Sequence, residues 1–272
     1  MRELDVDLAE ARAMFLEQVD GLLAAVETFS DVELLDPSLC RGWSRLEVVV
    51  HVRLGLDEVA ATTAAFTDHE ADHDAASYWC RSEDSESDPV PGILWLRRVD
   101  SATASPSGAV QHFRDAAQRV RLIISQASER TVLFQGKAMT MGNFIATWVA
   151  ELAIHQADLN IRTPPAHIAF ARRTIEAVAG ADLPAELSDL DAVLVGLGRK
   201  PADDSFGEWG PYPRPPMSWS TGGDLTRSEP GGLHAEEPEP IEDPGHRLLQ
   251  GPSCGSQPGE SLGGHRRAVH GI

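Results

Sequence analysis

Residues 141–159 read MGNFIATWVAELAIHQADL, and this stretch decides the fold. Phe144, Thr147, Trp148, Glu151, His155 and Asp158 recur at three- and four-residue spacing, so they share one face of a helix. Most neighbouring positions are apolar, which predicts a largely buried helix over roughly Thr140 to Ile161. A Glu and a His one turn apart on such a helix need a reason. A buried carboxylate is costly unless it is paired or neutralised, and a divalent metal supplies that pairing. Glu-x-x-x-His also aims both side chains at one point.

Two ligands are too few, so a third must come from a facing helix. His51 offers it, inside the nearly continuous apolar run LEVVVHVRLGL (46–56). Histidine is the commonest transition-metal ligand. His, Glu and His with one open position form the ligand set of catalytic zinc sites. Asp158 could orient a ligand imidazole through its other ring nitrogen. Plainer readings exist for the same residues. A His in an apolar run can be a hydrogen-bonded core residue, Glu151 and His155 can be a helix-surface pair, and Asp158 can be solvated near the helix end. His69 and His73 are also four apart, among Asp68, Glu70, Asp72 and Asp74, but without an apolar scaffold. They read as a solvated charge run. Trp43 and Trp148 read as core.

Helical spacing extends outward through the first 200 residues. Residues 5–29 place Leu8, Ala11, Phe15, Val19, Leu22, Leu23 and Val26 on one face. Ser44 caps a second helix with Glu47 as its capping-box partner, running to about Phe66. Further helices are expected at about Ser107–Ser128, Pro164–Gly180 and Pro184–Leu197. The polar segment from Asp68 to Pro91 reads as a long connection. Arg130–Phe134 is the one short strand candidate. The reading is an all-α, four-helix-type bundle over residues 1–200.

Composition changes near Lys200. Residues 201–272 hold 11 of the 18 prolines and 13 of the 23 glycines. That density predicts a disordered tail, because such chain cannot offset its ordering entropy by burial. The formal net charge of -19 opposes nucleic acid and anionic lipid. The N-terminus lacks the basic-then-apolar order of a secretion signal, and no apolar run approaches a membrane span. Three widely separated cysteines, Cys40, Cys80 and Cys254, suggest neither a CxxC pair nor a disulfide framework. These features predict a cytoplasmic protein whose metal is held by His and carboxylate.

LCRGWSRLEVVVHVRLGLDEV (39–59) and GNFIATWVAELAIHQADL (142–159) together resemble the two signatures of the mycothiol-dependent maleylpyruvate isomerase family. LVGLGRKP (194–201) is similar to the Gly-Arg stretch that often ends that domain. The resemblance spans roughly residues 5–200. It implies a DinB-like bundle in which His51, Glu151 and His155 bind zinc or another divalent metal. It also implies mycothiol, the small thiol of actinobacteria, as co-substrate, with the metal turning the thiol into a nucleophilic thiolate. The isomerase itself carries a folded second domain where this chain has its Pro/Gly-rich tail, which argues against maleylpyruvate as the substrate. The leading expectation is a metal-dependent enzyme, an S-transferase or isomerase, joining a small-molecule thiol to a small electrophile. The alternatives are a non-catalytic metal-binding or small-ligand-binding module, and a structural bundle without metal.

Overall fold

The computed structural model describes residues 1–80 and 90–201. The tail expected from position 201 onward therefore lies, beyond its first residue, outside the described residues, as does the end of the acidic connection. The elements in chain order are α1 (Leu8–Val26), α2 (Asp31–Leu34), α3 (Arg45–Thr62), α4 (Val90–Ser101), α5 (Pro106–Gln126), β1 (Thr131–Phe134), β2 (Lys137–Thr140), α6 (Met141–Asp158), α7 (Ile168–Ala179) and α8 (Asp189–Gly196). A short 3-10 turn covers Ser77–Trp79.

Four of these helices form the bundle. α6 packs on α1 and α3, and α5 closes the ring by packing on both α1 and α3. α7 and α8 cover another side of α6, so all of its side chains are buried. This is the origin of the near-continuous apolar pattern in the sequence: the helix has no solvent face. Local chemistry sets its ends. The Thr140 hydroxyl accepts from the Asn143 amide at the N-terminus. After Asp158 the chain turns through Asn160 in the left-handed region, φ 53°.

α3 starts as its sequence suggests, with the full Ser44/Glu47 capping box. It stops at Thr62, one turn short of the expected Phe66, which instead bridges to Val132 of β1. Glu47 has a second task, accepting from Arg97 Nε of α4 at 2.9 Å. α4 itself was not expected, because the polar segment that reads as a connection runs to Pro91. Proline is tolerated in a first helical turn, where its missing amide has no intrahelical role. The helix is held by buried Leu96 and partly buried Ile93, Trp95 and Val99.

The strand expected at Arg130–Phe134 exists as β1, and it has an unexpected partner. β1 and β2 form a two-stranded antiparallel hairpin, in register Thr131 to Thr140, turning at Gln135 and Gly136. α7 begins at Ile168 rather than near Pro164. Cys40 is a buried free thiol.

α3 and α6 approach closely at Gly55. A Cβ there would lie 2.5 Å from the Trp148 ring, so only glycine permits this spacing. Gly55 is one turn beyond His51, and Trp148 is three residues before Glu151. The close approach is what brings those two polar side chains within reach of each other.

Candidate metal centre

His51 from α3 and Glu151 and His155 from α6 converge. One ligand-type atom from each lies within 4.8 Å of the others. His51 Nε2 is 3.2 Å from Glu151 Oε1, and His155 Nε2 is 3.3 Å from the same oxygen. All three residues are buried, at 4%, 5% and 1% exposure. They are neither a surface pair nor separate core histidines. Trp43, delivered by the turn before α3, stacks on His155 at 6.2 Å and tilts against His51 at 5.1 Å between ring centroids. It is a core residue, as the sequence suggests, and it also walls the cluster.

Asp158 is fully buried rather than solvated. Its Oδ2 lies 3.1 Å from His155 Nδ1. Arg199, just beyond α8, donates from Nε to Asp158 Oδ1 at 3.0 Å. Its Nη2 lies 3.6 Å from Cys40 Sγ. In the sequence Arg199 stands out only as part of LVGLGRKP. Forty-one residues separate it from Asp158, and no periodicity links them.

The electrostatics of the cluster favour added positive charge. Burial opposes the Glu151 carboxylate, but His155 and His51 outweigh it and hold the carboxyl well below its usual range. Burial also opposes a charged His155, yet Asp158 and Glu151 push its pKa up to about 9. Against burial, His155 and Arg199 keep the Asp158 carboxyl below its ordinary value. A proton and a metal ion would compete for the same basin of negative potential.

Three observations fit a divalent ion. Glu151 Oε2 and His155 Nε2 are buried without a hydrogen-bond partner, an arrangement that is costly unless something else binds there. The donor set is that of catalytic zinc sites. Tetrahedral ligands about 2.1 Å from zinc sit roughly 3.4 Å apart, close to the two contacts at 3.2 and 3.3 Å. Glu151 also faces a narrow cleft of about 10 Å³, lined by Tyr78, Trp79, Thr147 and Trp148. That is room for one water-sized group.

Tyr78 and Trp79 could not be placed from sequence, because the segment carrying them has no periodicity. Burial first, then the charges of Glu151 and Glu58, push the Tyr78 phenol well above its usual pKa, so it stays protonated. It donates to Gln135 Oε1 at 3.2 Å. His69 and His73 stay out of the cluster. His73 Nδ1 pairs with the adjacent Asp72 at 2.6 Å.

Residues 15–160 match the mycothiol maleylpyruvate isomerase N-terminal domain, a span that contains the three converging residues and Asp158. The chain belongs to that family. Two solved structures are similar. One is the mycothiol-dependent maleylpyruvate isomerase, at 16% identity and TM-score 0.48, covering 63% of this chain and 69% of that one. The other is a point mutant of that enzyme, at 17% identity and TM-score 0.46 with the same coverage. No curated protein matches the sequence. Among the described residues, no helix is long and apolar enough to cross a membrane.

Proposed function

We propose that this chain is a metal-dependent enzyme that uses a small thiol, mycothiol, against a small electrophile, as an S-transferase or isomerase. His51, Glu151 and His155 would hold the ion, zinc being the natural choice for this donor set. The observation that carries the reading is the buried Glu151 Oε2, left without a partner beside two imidazole nitrogens. A bound divalent ion would lower the pKa of a coordinated thiol and so present a thiolate at neutral pH.

The chain's own residues have defined tasks in this scheme. Asp158 orients His155 by accepting from Nδ1. Trp43, Tyr78, Trp79 and Trp148 keep the surroundings largely apolar, which favours a soft sulfur donor over free water. Cys40 is buried, and burial pushes its thiol up to about 12, which makes it a poor nucleophile. In this scheme the sulfur comes from a second molecule. Residues 1–200 would form the working domain, with the Pro/Gly-rich tail dispensable for its stability.

The test is calorimetry of mycothiol binding to zinc-loaded protein, in buffers of differing ionisation enthalpy. Coordination as thiolate should release close to one proton per site. The metal-loaded protein should also speed addition of mycothiol to a generic electrophile. Binding with proton release but no acceleration of any electrophile would favour the binding-module reading. A protein that takes up no metal would end both.

A further inference from the structure

We infer that Arg199 is a positioning residue for the metal centre, acting through Asp158 to fix the ring orientation in which His155 offers Nε2. The inference rests on the metal-binding reading above and concerns a residue outside the matched family span.

The geometry begins with the end of α8. Gly198 has φ +68°, and its amide donates to Val195 O at 2.9 Å. The Arg199 amide donates back to Leu194 O at 2.7 Å. These two bonds are the paired closure of a Schellman turn, which needs a left-handed residue one place beyond the helix cap. The turn reverses the chain and aims Arg199 across to the end of α6. That is a physical reason for glycine followed by arginine in LVGLGRKP.

The guanidinium then grips Asp158 along one edge. Nε is 3.0 Å from Oδ1, and Nη2 is 3.5 Å from Oδ2. Asp158 is fully buried, so a carboxylate without this partner would be strongly disfavoured. With both oxygens placed, Oδ2 accepts from His155 Nδ1, and the opposite ring nitrogen is left facing Glu151. A second element is tied to the same point. The Leu39 amide donates to Asp158 O at 2.8 Å, and Arg199 Nη2 reaches Cys40. The turn that carries Trp43, the C-terminus of α6 and the end of α8 are thus locked at one residue.

The experiment is a cobalt(II) titration of the full chain against a chromophoric chelator, with the visible spectrum recorded. It compares wild type, Arg199→Gln, Arg199→Lys, Asp158→Asn and the double variant Arg199→Gln/Asp158→Asn. Loss of an outer partner of a ligand histidine weakens metal binding by about 10- to 100-fold. Arg199→Gln should fall in that range and shift the cobalt bands. Arg199→Lys should recover part of the loss, since it keeps the charge but not the fork. In the Asp158→Asn background, Arg199→Gln should add less than about twofold, because its route is already cut.

Equal losses in both backgrounds would overturn the inference, as would wild-type affinity and spectrum for Arg199→Gln. If Arg199→Gln does not fold, Gly198→Ala decides instead. Its added Cβ meets nothing within 4 Å, so it strains only the turn. It should weaken cobalt binding with helicity unchanged, and wild-type affinity there would overturn the inference. A wild type that binds no cobalt would remove both this inference and the metal reading. Tight wild-type binding with indifferent Arg199 variants would remove this inference alone.

Discussion

Two regions of this chain are rich in the residues that bind metals. Residues 68–74, DHEADHD, pack six such side chains into seven positions. α6 spreads three, Glu151, His155 and Asp158, along its last turns. The denser region does not form a cluster. Asp74 accepts backbone amides from Leu4, Ala76 and Ser77, at 3.1, 2.9 and 2.6 Å. Asp72 accepts from the Ala138 amide at 3.0 Å and pairs with His73. Asp72 and Asp74 are thus committed to backbone donors, and the Asp72 bond ties the loop to the hairpin. On α6, by contrast, the backbone donors are used within the helix. A Glu151 oxygen facing inward there has no amide to accept from. The lesson is that the number of ligand-type residues says little. What matters is whether local backbone donors satisfy them before anything else can.

The sharpest way to break this contrast is to delete ligands from each region. His155→Ala should weaken zinc binding by more than the roughly 100-fold upper end for outer partners, and Glu151→Gln should weaken it by removing the charged donor. His69→Ala with His73→Ala should leave affinity and metal content unchanged. Chelator competition on purified protein measures both. Metal loss in the loop double variant would move the site to the wrong region and sink the assignment.

A smaller effect is expected where the helices approach. Gly55→Ala would force a methyl to 2.5 Å from the Trp148 ring. That ring is buried among packed neighbours, so overpacking should cost about 1–3 kcal/mol in urea unfolding of the metal-free protein. Pushing α3 away also separates His51 from Glu151, so metal affinity should fall along with stability. Lost stability with unchanged affinity would mean that this contact does not set the site's geometry.

The sequence made some of this legible for physical reasons. A helix buried on every side must carry apolar residues throughout, so Glu151 and His155 stand out as exceptions that need partners. Capping chemistry is local, so Ser44 and Glu47 could be read directly. Arg199, Tyr78 and Trp79 could not be found this way. They reach the centre through a Schellman turn and through a loop pinned on the hairpin, and neither leaves a periodic trace. α4 was hidden because Pro91 closes a polar connection, although it falls in the helix's first turn. Asp158 was half legible. Its spacing puts it on the face of His155, but its burial depends on Arg199, forty-one positions away.

The smallest expected effect comes from the loop, and it has a pH signature. Burial opposes a charged Asp74, but the amides of Ser77, Leu4 and Ala76, with the Ser77 hydroxyl, outweigh it and hold the carboxyl below its usual range. A carboxyl whose folded pKa is lowered adds stability above its unfolded value. That contribution is lost as pH falls through the folded pKa. Asp74→Ala should therefore cost about 1–2 kcal/mol at neutral pH, the range for losing a carboxylate that caps backbone amides. The gap between wild type and variant should close as pH drops below the ordinary aspartate value of 3.8. Zinc affinity at neutral pH should stay the same, because these oxygens already have their donors. Urea unfolding at pH 7 and at acid pH, with a zinc titration at pH 7, measures all three. A gap that persists in acid would mean that Asp74 acts through packing rather than through its charge. A fall in zinc affinity would mean that the loop and the buried cluster are not the independent regions described here.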